Sequence, residues 1–299
     1  MNTTYTVVIV TYNRKELLEE CVSKVNSQSL PASHVVIVNN ASTDGTDAFL
    51  DRLAKKNEKY FIVQCPKNIG GAGGFAKGME YALGLNDEYV LIIDDDAMLE
   101  TDYMEKILKA KSINPRYEAF AGSVLTDNKI DVFHRKMLSK AGFLMKNCPE
   151  RLYAQDTFEC DIASFCGMVV SAQVIRQIGL PHEEYFIYHD DTEYSLRVRE
   201  ISRFLVVPGA KLNHKTKQTA AAYPRRYGWK DYYDIRNRLL FVKEHGSVLD
   251  KAVNYVHLFA NIVFRNWLFG IIKRNHYDWK YERDITKRAI ADAHGGKVN

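Results

Sequence analysis

The sequence predicts an α/β fold, a mostly parallel sheet flanked by helices, followed by a helical appendage. Short β-branched apolar runs alternate with stretches of helical periodicity from residue 5 to residue 93, at about thirty residues per unit, the rhythm of right-handed strand–helix–strand connections. Polar residues gather directly behind those runs, where such sheets place ligands. Beyond Arg238 the chain turns amphipathic and helical.

Tyr5-Thr6-Val7-Val8-Ile9-Val10 reads as a first buried strand, and residues 14–28 as a helix with Leu17, Leu18, Cys21, Val22 and Val25 on one face. Val35-Val36-Ile37-Val38 gives the second strand and residues 46–53 the second helix. Tyr60-Phe61-Ile62-Val63 gives the third strand, residues 73–85 the third helix, and Tyr89-Val90-Leu91-Ile92-Ile93 closes the series. Where a GxGxxG would follow the first strand, the chain reads Thr11-Tyr12-Asn13-Arg14, which argues against a standard dinucleotide site.

A chain of 299 residues holds one α/β domain with a smaller appendage. Its formal charge of +4 is too mild for a dedicated nucleic-acid binder. The five cysteines form no CxxC pair, and Met1-Asn2-Thr3-Thr4-Tyr5 does not open a signal peptide, so reduced thiols and a cytoplasmic location are expected. Cys166, within Phe165-Cys166-Gly167-Met168-Val169-Val170, reads as core packing rather than a nucleophile.

Three consecutive acids, Asp94-Asp95-Asp96, emerge behind the fourth strand and repel one another unless a cation offsets them. A divalent metal carrying phosphate oxygens is one reading, and an acidic turn capping the next helix is the other. Thr11, Asn13 and Arg14 behind the first strand share a rim with Asn39-Asn40-Ala41-Ser42-Thr43-Asp44-Gly45-Thr46 behind the second. Such groups can bind a nucleobase edge and a ribose, or simply start helices and turns. Asn68-Ile69-Gly70-Gly71-Ala72-Gly73-Gly74-Phe75 behind the third strand is either a phosphate or sugar cradle at a helix start or a flexible turn; no Gly-Lys-Ser/Thr makes it a Walker loop. Asp190-Asp191 with Glu193 is either the acidic start of a helix running to Ile201 or a catalytic pair.

In this order the motifs resemble the inverting family-2 glycosyltransferases of GT-A fold. The resemblance continues through Tyr185-Phe186-Ile187-Tyr188-His189-Asp190-Asp191, then Pro208-Gly209-Ala210-Lys211-Leu212-Asn213-His214, then the Tyr-Tyr-x-x-Arg-Asn element in Tyr232-Tyr233-Asp234-Ile235-Arg236-Asn237. It implies a GT-A catalytic domain, Rossmann-like in its sheet, over residues 1–240, with a nucleotide-binding half (1–100) and an acceptor-binding half (101–240), and a separate helical region over 241–299. It also implies that Asp94 and Asp96 bracket Mn²⁺ or Mg²⁺ on the diphosphate of a nucleotide-sugar, with His214 as a further metal ligand. Asp191 is implied as the base that deprotonates the acceptor hydroxyl for a single inverting displacement; Asp190 and His189, the latter matching no role in the family, adjoin it and are expected as acceptor contacts. Thr11, Asn13, Arg14, Asn40, Asp44, Asn68, Gly70, Gly71 and Asp95 are implied as donor contacts. Members of the family often carry aspartates where Asn39-Asn40 stands; an amide can pair with uracil or thymine but brings no charge.

The motifs look most like those of bacterial galactofuranosyltransferases using UDP-galactofuranose, with rhamnosyltransferases using dTDP-rhamnose as the alternative and a cell-surface polysaccharide or lipid-linked glycan as acceptor. Outside the family, a nucleotidyltransferase would carry its glycine-rich loop behind the first strand rather than the third, and a non-catalytic nucleotide-sugar binding module would have no need of Asp191. In the appendage, residues 253–272 are apolar but interrupted by Asn254, His257, Asn261, Arg265 and Asn266, too polar a load for a bilayer span. Lys273, Arg274, Lys280, Arg283, Lys287 and Arg288 lie beside Trp267 and Trp279. That face suits an interfacial helix on anionic lipid at the inner side of the cell membrane, or a helix packed on the catalytic domain or on a sister subunit of a homo-oligomer.

Overall fold

A computed structural model describes residues 3–139, 143–215, 228–260 and 279–295. The chain forms two compact units: Met1–Met137, Asn147–Glu183 and Asp191–Lys217 make the first, and Leu138–Lys146, Glu184–Asp190 and Gln218–Asn299 the second.

The first unit opens with the expected alternation: β1 (Tyr5–Thr11), α1 (Lys15–Asn26), β2 (His34–Asn39), α2 (Thr46–Lys56), β3 (Tyr60–Gln64), α3 (Gly70–Gly84) and β4 (Tyr89–Asp94). β5 (Ala97–Leu99), α4 (Tyr103–Ile113), β6 (Ala119–Thr126) and β7 (Lys129–Ile130) follow; β8 (Arg135–Leu138) ends, and β9 (Met145–Asn147) begins, in residues of the second unit. The last elements are β10 (Phe158–Cys160), β11 (Ile162–Ala163), β12 (Met168–Ser171), α5 (Ala172–Ile178), α6 (Asp190–Ile201) and β13 (Phe204–His214). The main sheet runs β10-β13-β6-β12-β4-β1-β2-β3. β4, β1, β2 and β3 are mutually parallel, whereas β12 runs antiparallel between β4 and β6. The parallel half is thus joined by one reversed strand to the second half of the sheet.

The period-2 alternation of the strands divides the core. Val7, Ile9, Ile37, Leu91 and Ile93 face Leu18, Val22 and Val25 of α1 and Ile107 of α4. Val8, Val36 and Ile92 face Phe75 and Met79 of α3, with Tyr194 and Val198 of α6 on the same side. α3 starts at Gly70, earlier than periodicity alone suggests, so the glycine run forms its first turns. A Cβ at Gly74 would lie 2.6 Å from Val10 Cγ1, and one at Gly78 would lie 2.4 Å from Val8 Cγ1. Those two glycines let the helix lie against the sheet more closely than any side chain permits.

In the second unit, α7 (Trp229–His245), α8 (Val248–Leu258) and α9 (Trp279–Gly295) pack through Ile235, Leu239, Leu258, Ala289 and Ala293. Tyr232 Oη donates to Asp292 at 2.6 Å, and Arg238 donates twice to Asn254 Oδ1. Asn254, one of the polar interruptions of the apolar stretch, is therefore an internal acceptor for α7. Residues 261–278, which include Trp267, Lys273 and Arg274, lie outside the described residues. Among the described residues no helix is long and apolar enough to cross a membrane.

Candidate active site

Four strand ends of the first unit supply the site. β1 ends in Thr11, β4 ends in Asp94, and a tight turn carries Asp95 and Asp96 into β5. β5 pairs antiparallel with the end of β13, His214 opposite Ala97, and the Lys215 amide donates to the Asp96 carbonyl at 2.9 Å. This pairing is what carries a histidine more than a hundred residues downstream onto the aspartate triplet.

Thr11 Oγ1 donates to Asp95 Oδ2 at 2.7 Å. Arg14 Nη1 bridges Asp95 Oδ1 at 3.2 Å and Asp96 Oδ2 at 2.7 Å, while half of its side chain remains exposed. His214 Nε2 lies 3.1 Å from Asp96 Oδ1. The Cys21 thiol, from α1, donates to the carbonyls of Asp94 and Ala97 and so braces the turn from beneath.

The site is electrostatically tense. Burial, then Asp96, pushes the Asp94 carboxyl up to about 7, with His214 and Arg14 pulling the other way. Burial raises Asp95 to about 6 against the Thr11 hydrogen bond and the Arg14 charge. Desolvation works against the His214 imidazolium, but its bond to Asp96 and the charges of Asp96, Asp94 and Asp131 outweigh that and raise it above its ordinary value. Burial likewise opposes the Arg14 cation, and Asp95 and Asp96 outweigh it. Two cationic groups therefore already lean on three crowded acids.

Carboxylate oxygens and an imidazole nitrogen are donors that suit Mn²⁺ or Mg²⁺, and Asp96 Oδ1 touches the His214 Nε2 of such a group. Ligand atoms of Asp94, His214 and Cys166 lie within 4.8 Å of one another. Cys166, which the sequence reads as core packing, is buried. Burial followed by Asp94 raises its thiol well above its ordinary value, so it stands against the carboxylate as a protonated neighbour. The register explains its place. Met168 pairs with Ile92 in the antiparallel β12–β4 ladder, and continuing that ladder sets residue 166 opposite residue 94. Sequence reasoning missed a further neighbour: the His134 ring stands edge-on to His214, with centroids 5.2 Å apart, while its Nδ1 pairs with Ser164 at 2.8 Å.

The other expected donor contacts form two clusters. Asn13, in left-handed backbone (φ 53°), accepts from the Thr43 amide at 2.7 Å, and its own amide donates to Ser42. Asp44 accepts from the Lys15 amide and from Thr46; against slight desolvation these bonds hold its carboxyl below the usual range. Asn13 and Asp44 thereby tie the loops behind β1 and β2 together. Asn40 Nδ2 donates to Asn68 Oδ1 at 3.1 Å and to the Gly70 carbonyl at 2.9 Å, and its Oδ1 accepts from the Ile69 amide at 2.9 Å. Asn68 Oδ1 in turn accepts from the Gly70 amide at 2.8 Å. The buried Asn40 amide thus shapes the path into α3, where Gly70 has φ 77° and a Cβ on Gly71 would find nothing nearer than 4.0 Å.

Asp191 is the second residue of α6 and accepts from Thr192 Oγ1 at 3.2 Å. The rest of α6 is anchored within the first unit. Glu193 pairs bidentately with Arg197 at 2.7 Å on both oxygens, Arg197 also donates to the carbonyls of Ile178 and Leu180, and Ser195 exchanges hydrogen bonds with the backbone of Ala163. His189 belongs to the second unit, where its Nε2 lies 2.9 Å from Asp234 Oδ1 and its ring leans on Phe241. Asp190, buried, begins α6.

The family model for glycosyl transferase family 2 matches residues 6–179, and the chain belongs to that family, whose enzymes are inverting glycosyltransferases. It is 26% identical over 290 residues to the galactofuranosyltransferase GlfT2 of Mycolicibacterium smegmatis, covering 86% of this chain and 43% of that protein. It is 24% identical over 255 residues to the dTDP-rhamnosyl transferase RfbF of Shigella flexneri, covering 82% of each. The chain thus spans less than half the length of the first relative and most of the second. Among solved structures it shares the fold of S. aureus TarS 1-349 in complex with UDP-GlcNAc, with a TM-score of 0.62 at 16% identity over 97% of this chain and 80% of that one. The GT-A architecture expected from the motifs is the architecture found.

Proposed function

We propose that the protein is a metal-dependent glycosyltransferase that moves galactofuranose from UDP-galactofuranose onto a growing cell-surface polysaccharide or lipid-linked glycan. The observation that carries this reading is the convergence of Thr11, Arg14, the aspartate triplet and His214 on one strand-end rim of a family-2 fold. A galactofuranosyltransferase aligned over 86% of the chain supports the choice of sugar. A dTDP-rhamnosyl transferase aligned over 82% of both chains supports the second reading, transfer of rhamnose from dTDP-rhamnose.

Asp94, Asp96 and His214 would hold Mn²⁺ or Mg²⁺, and structures of the same fold with Mn²⁺ and a nucleotide or nucleotide-sugar make Mn²⁺ the first choice to test. When bound, such an ion offsets charge on the diphosphate leaving group. Arg14, already spanning Asp95 and Asp96, adds a half-exposed positive charge at the same edge. Asp95, held by Thr11, is the proposed contact to ribose or donor sugar, and the loops tied by Asn13, Asp44, Asn40 and Asn68 frame the base and the diphosphate. Asp191 takes the proton of the acceptor hydroxyl as its oxygen attacks the anomeric carbon from the face opposite the diphosphate, so one displacement inverts the centre. The five buried free cysteines suit a reducing cytoplasm, and Lys280, Arg283, Lys287 and Arg288 of α9 are the charges offered to its membrane face.

The test is donor hydrolysis and transfer by purified protein with Mn²⁺, comparing UDP-galactofuranose with dTDP-rhamnose. Turnover of the first alone supports the main reading and turnover of the second alone supports the alternative. Failure of both while UDP still binds removes both donor assignments.

A further inference from the structure

The segment that leads into α6 is held in a backbone that its side chains disfavour. Phe186, Tyr188 and His189 have φ of 59°, 66° and 63°, the left-handed region where a Cβ crowds the following carbonyl. None is a glycine, and three such residues within four positions need an outside restraint.

That restraint comes from one turn of α7. Asn237, wholly buried, aims its amide nitrogen at three carbonyls of the segment: Tyr185 at 2.8 Å, Ile187 at 3.0 Å and Tyr188 at 2.8 Å. The amide cannot be turned the other way, because Arg236 Nε donates to Asn237 Oδ1 at 2.9 Å. Arg236 also donates through Nη2 to the Glu184 carbonyl, where the segment begins. Asp234 pairs with His189, and Phe186 stacks on Tyr233 with ring centroids 5.1 Å apart. The Tyr-Tyr-x-x-Arg-Asn element thus spends Tyr233, Asp234, Arg236 and Asn237 on one seven-residue stretch, Glu184–Asp190.

We propose that Arg236 and Asn237 are positioning residues for catalysis: by imposing the left-handed path through 186–189 they fix the direction in which the chain enters α6, and with it the carboxylate of Asp191. This rests on the reading of Asp191 as the base. Asp191 follows Asp190, the last residue of the held stretch, by one peptide bond, and from Glu193 onward α6 is pinned by Glu193–Arg197 and Ser195–Ala163. A base displaced by about 1 Å loses on the order of a hundredfold in rate while substrate binding elsewhere is untouched.

Asn237→Asp keeps the size and exchanges the donor nitrogen for an oxygen facing the three carbonyls. The variant is expected to lower kcat about 100-fold. The donor KM and the Kd for UDP with Mn²⁺ should stay within about threefold, and amide hydrogen exchange should accelerate about tenfold or more over 185–190 and not in the strands. Adding Tyr188→Gly, which tolerates left-handed backbone, should recover about tenfold of the lost kcat. A variant that loses kcat and UDP binding in step, or is not rescued by Tyr188→Gly, overturns the proposal, as does unchanged kcat. Should Asn237→Asp not fold, Arg236→Lys, which removes the Nε bond to Asn237, carries the same test with a smaller expected loss. The exchange measurement needs no substrate. Unchanged exchange at 185–190 defeats the clamp itself, whereas wild-type protein that binds UDP and transfers neither sugar defeats the functional reading.

Discussion

The aspartate rim and the segment 184–190, which leads directly into the proposed base Asp191, are held by different physics. At the aspartate turn, 94–96, no residue takes a positive φ, and the tension lies in charge. Burial and crowding push Asp94 to about 7 and Asp95 to about 6, with Arg14 and His214 as partial counterweights. In 184–190 the tension lies in the backbone, where three bulky left-handed residues are held by Arg236 and Asn237. Electrostatic tension is relieved by a proton or a cation, which suits a place that must take up and release a charged leaving group. Conformational tension is held by the contacts that impose the path, here those of Arg236 and Asn237, and it fixes geometry rather than charge.

That contrast can be broken most severely at the triplet. Asp94→Asn should reduce transfer on the order of a thousandfold and abolish any Mn²⁺ dependence of UDP binding, as followed by donor turnover and calorimetry. Next in size, His214→Ala is expected to weaken Mn²⁺ about 10- to 100-fold in a direct titration without nucleotide. An unchanged affinity would remove the imidazole from the ligand set. The rim should also be the pH-sensitive region. Metal binds the carboxylate and the neutral imidazole, and Asp94 at about 7 and a raised His214 carry protons that must leave first. Apparent Mn²⁺ affinity should therefore rise with pH and level off only above the Asp94 value of about 7, and a flat profile between about 5 and 8 would contradict the electrostatic account. The smallest effect sharpens the scaffold beneath both regions. Gly78→Ala, whose Cβ would meet Val8 Cγ1 at 2.4 Å, should cost about 1–3 kcal/mol in denaturant unfolding and leave UDP affinity of the folded protein unchanged.

Much of the rim was legible in the sequence because it follows from local signals. β1 to β4 are short β-branched runs, and polar residues behind parallel strands necessarily share an edge. The start of α3 was less so: helical periodicity of apolar residues does not register Gly70, Gly71 and Ala72, and the demand for glycine at 74 and 78 is set by Val10 and Val8 of another strand. Asn40 was legible as a polar strand-end residue but not as the brace of the path into α3, which depends on where Asn68 and Gly70 arrive. Cys166 stayed hidden because its neighbour Asp94 is defined by the register of β12 against β4, a pairing between segments more than seventy residues apart. The Tyr-Tyr-x-x-Arg-Asn element was visible as a pattern, yet its task is readable only once Asn237 is seen beneath left-handed carbonyls that no propensity would place there.

The central claim is a division of labour: the triplet holds the leaving group and Asp191 is the base. Asp191→Asn tests it most directly, with transfer and Mn²⁺-dependent UDP binding measured on the same preparation. The account predicts transfer lowered by about 10²- to 10⁴-fold with UDP affinity within a few-fold of wild type. Loss of UDP binding in that variant, or transfer that persists, would contradict it.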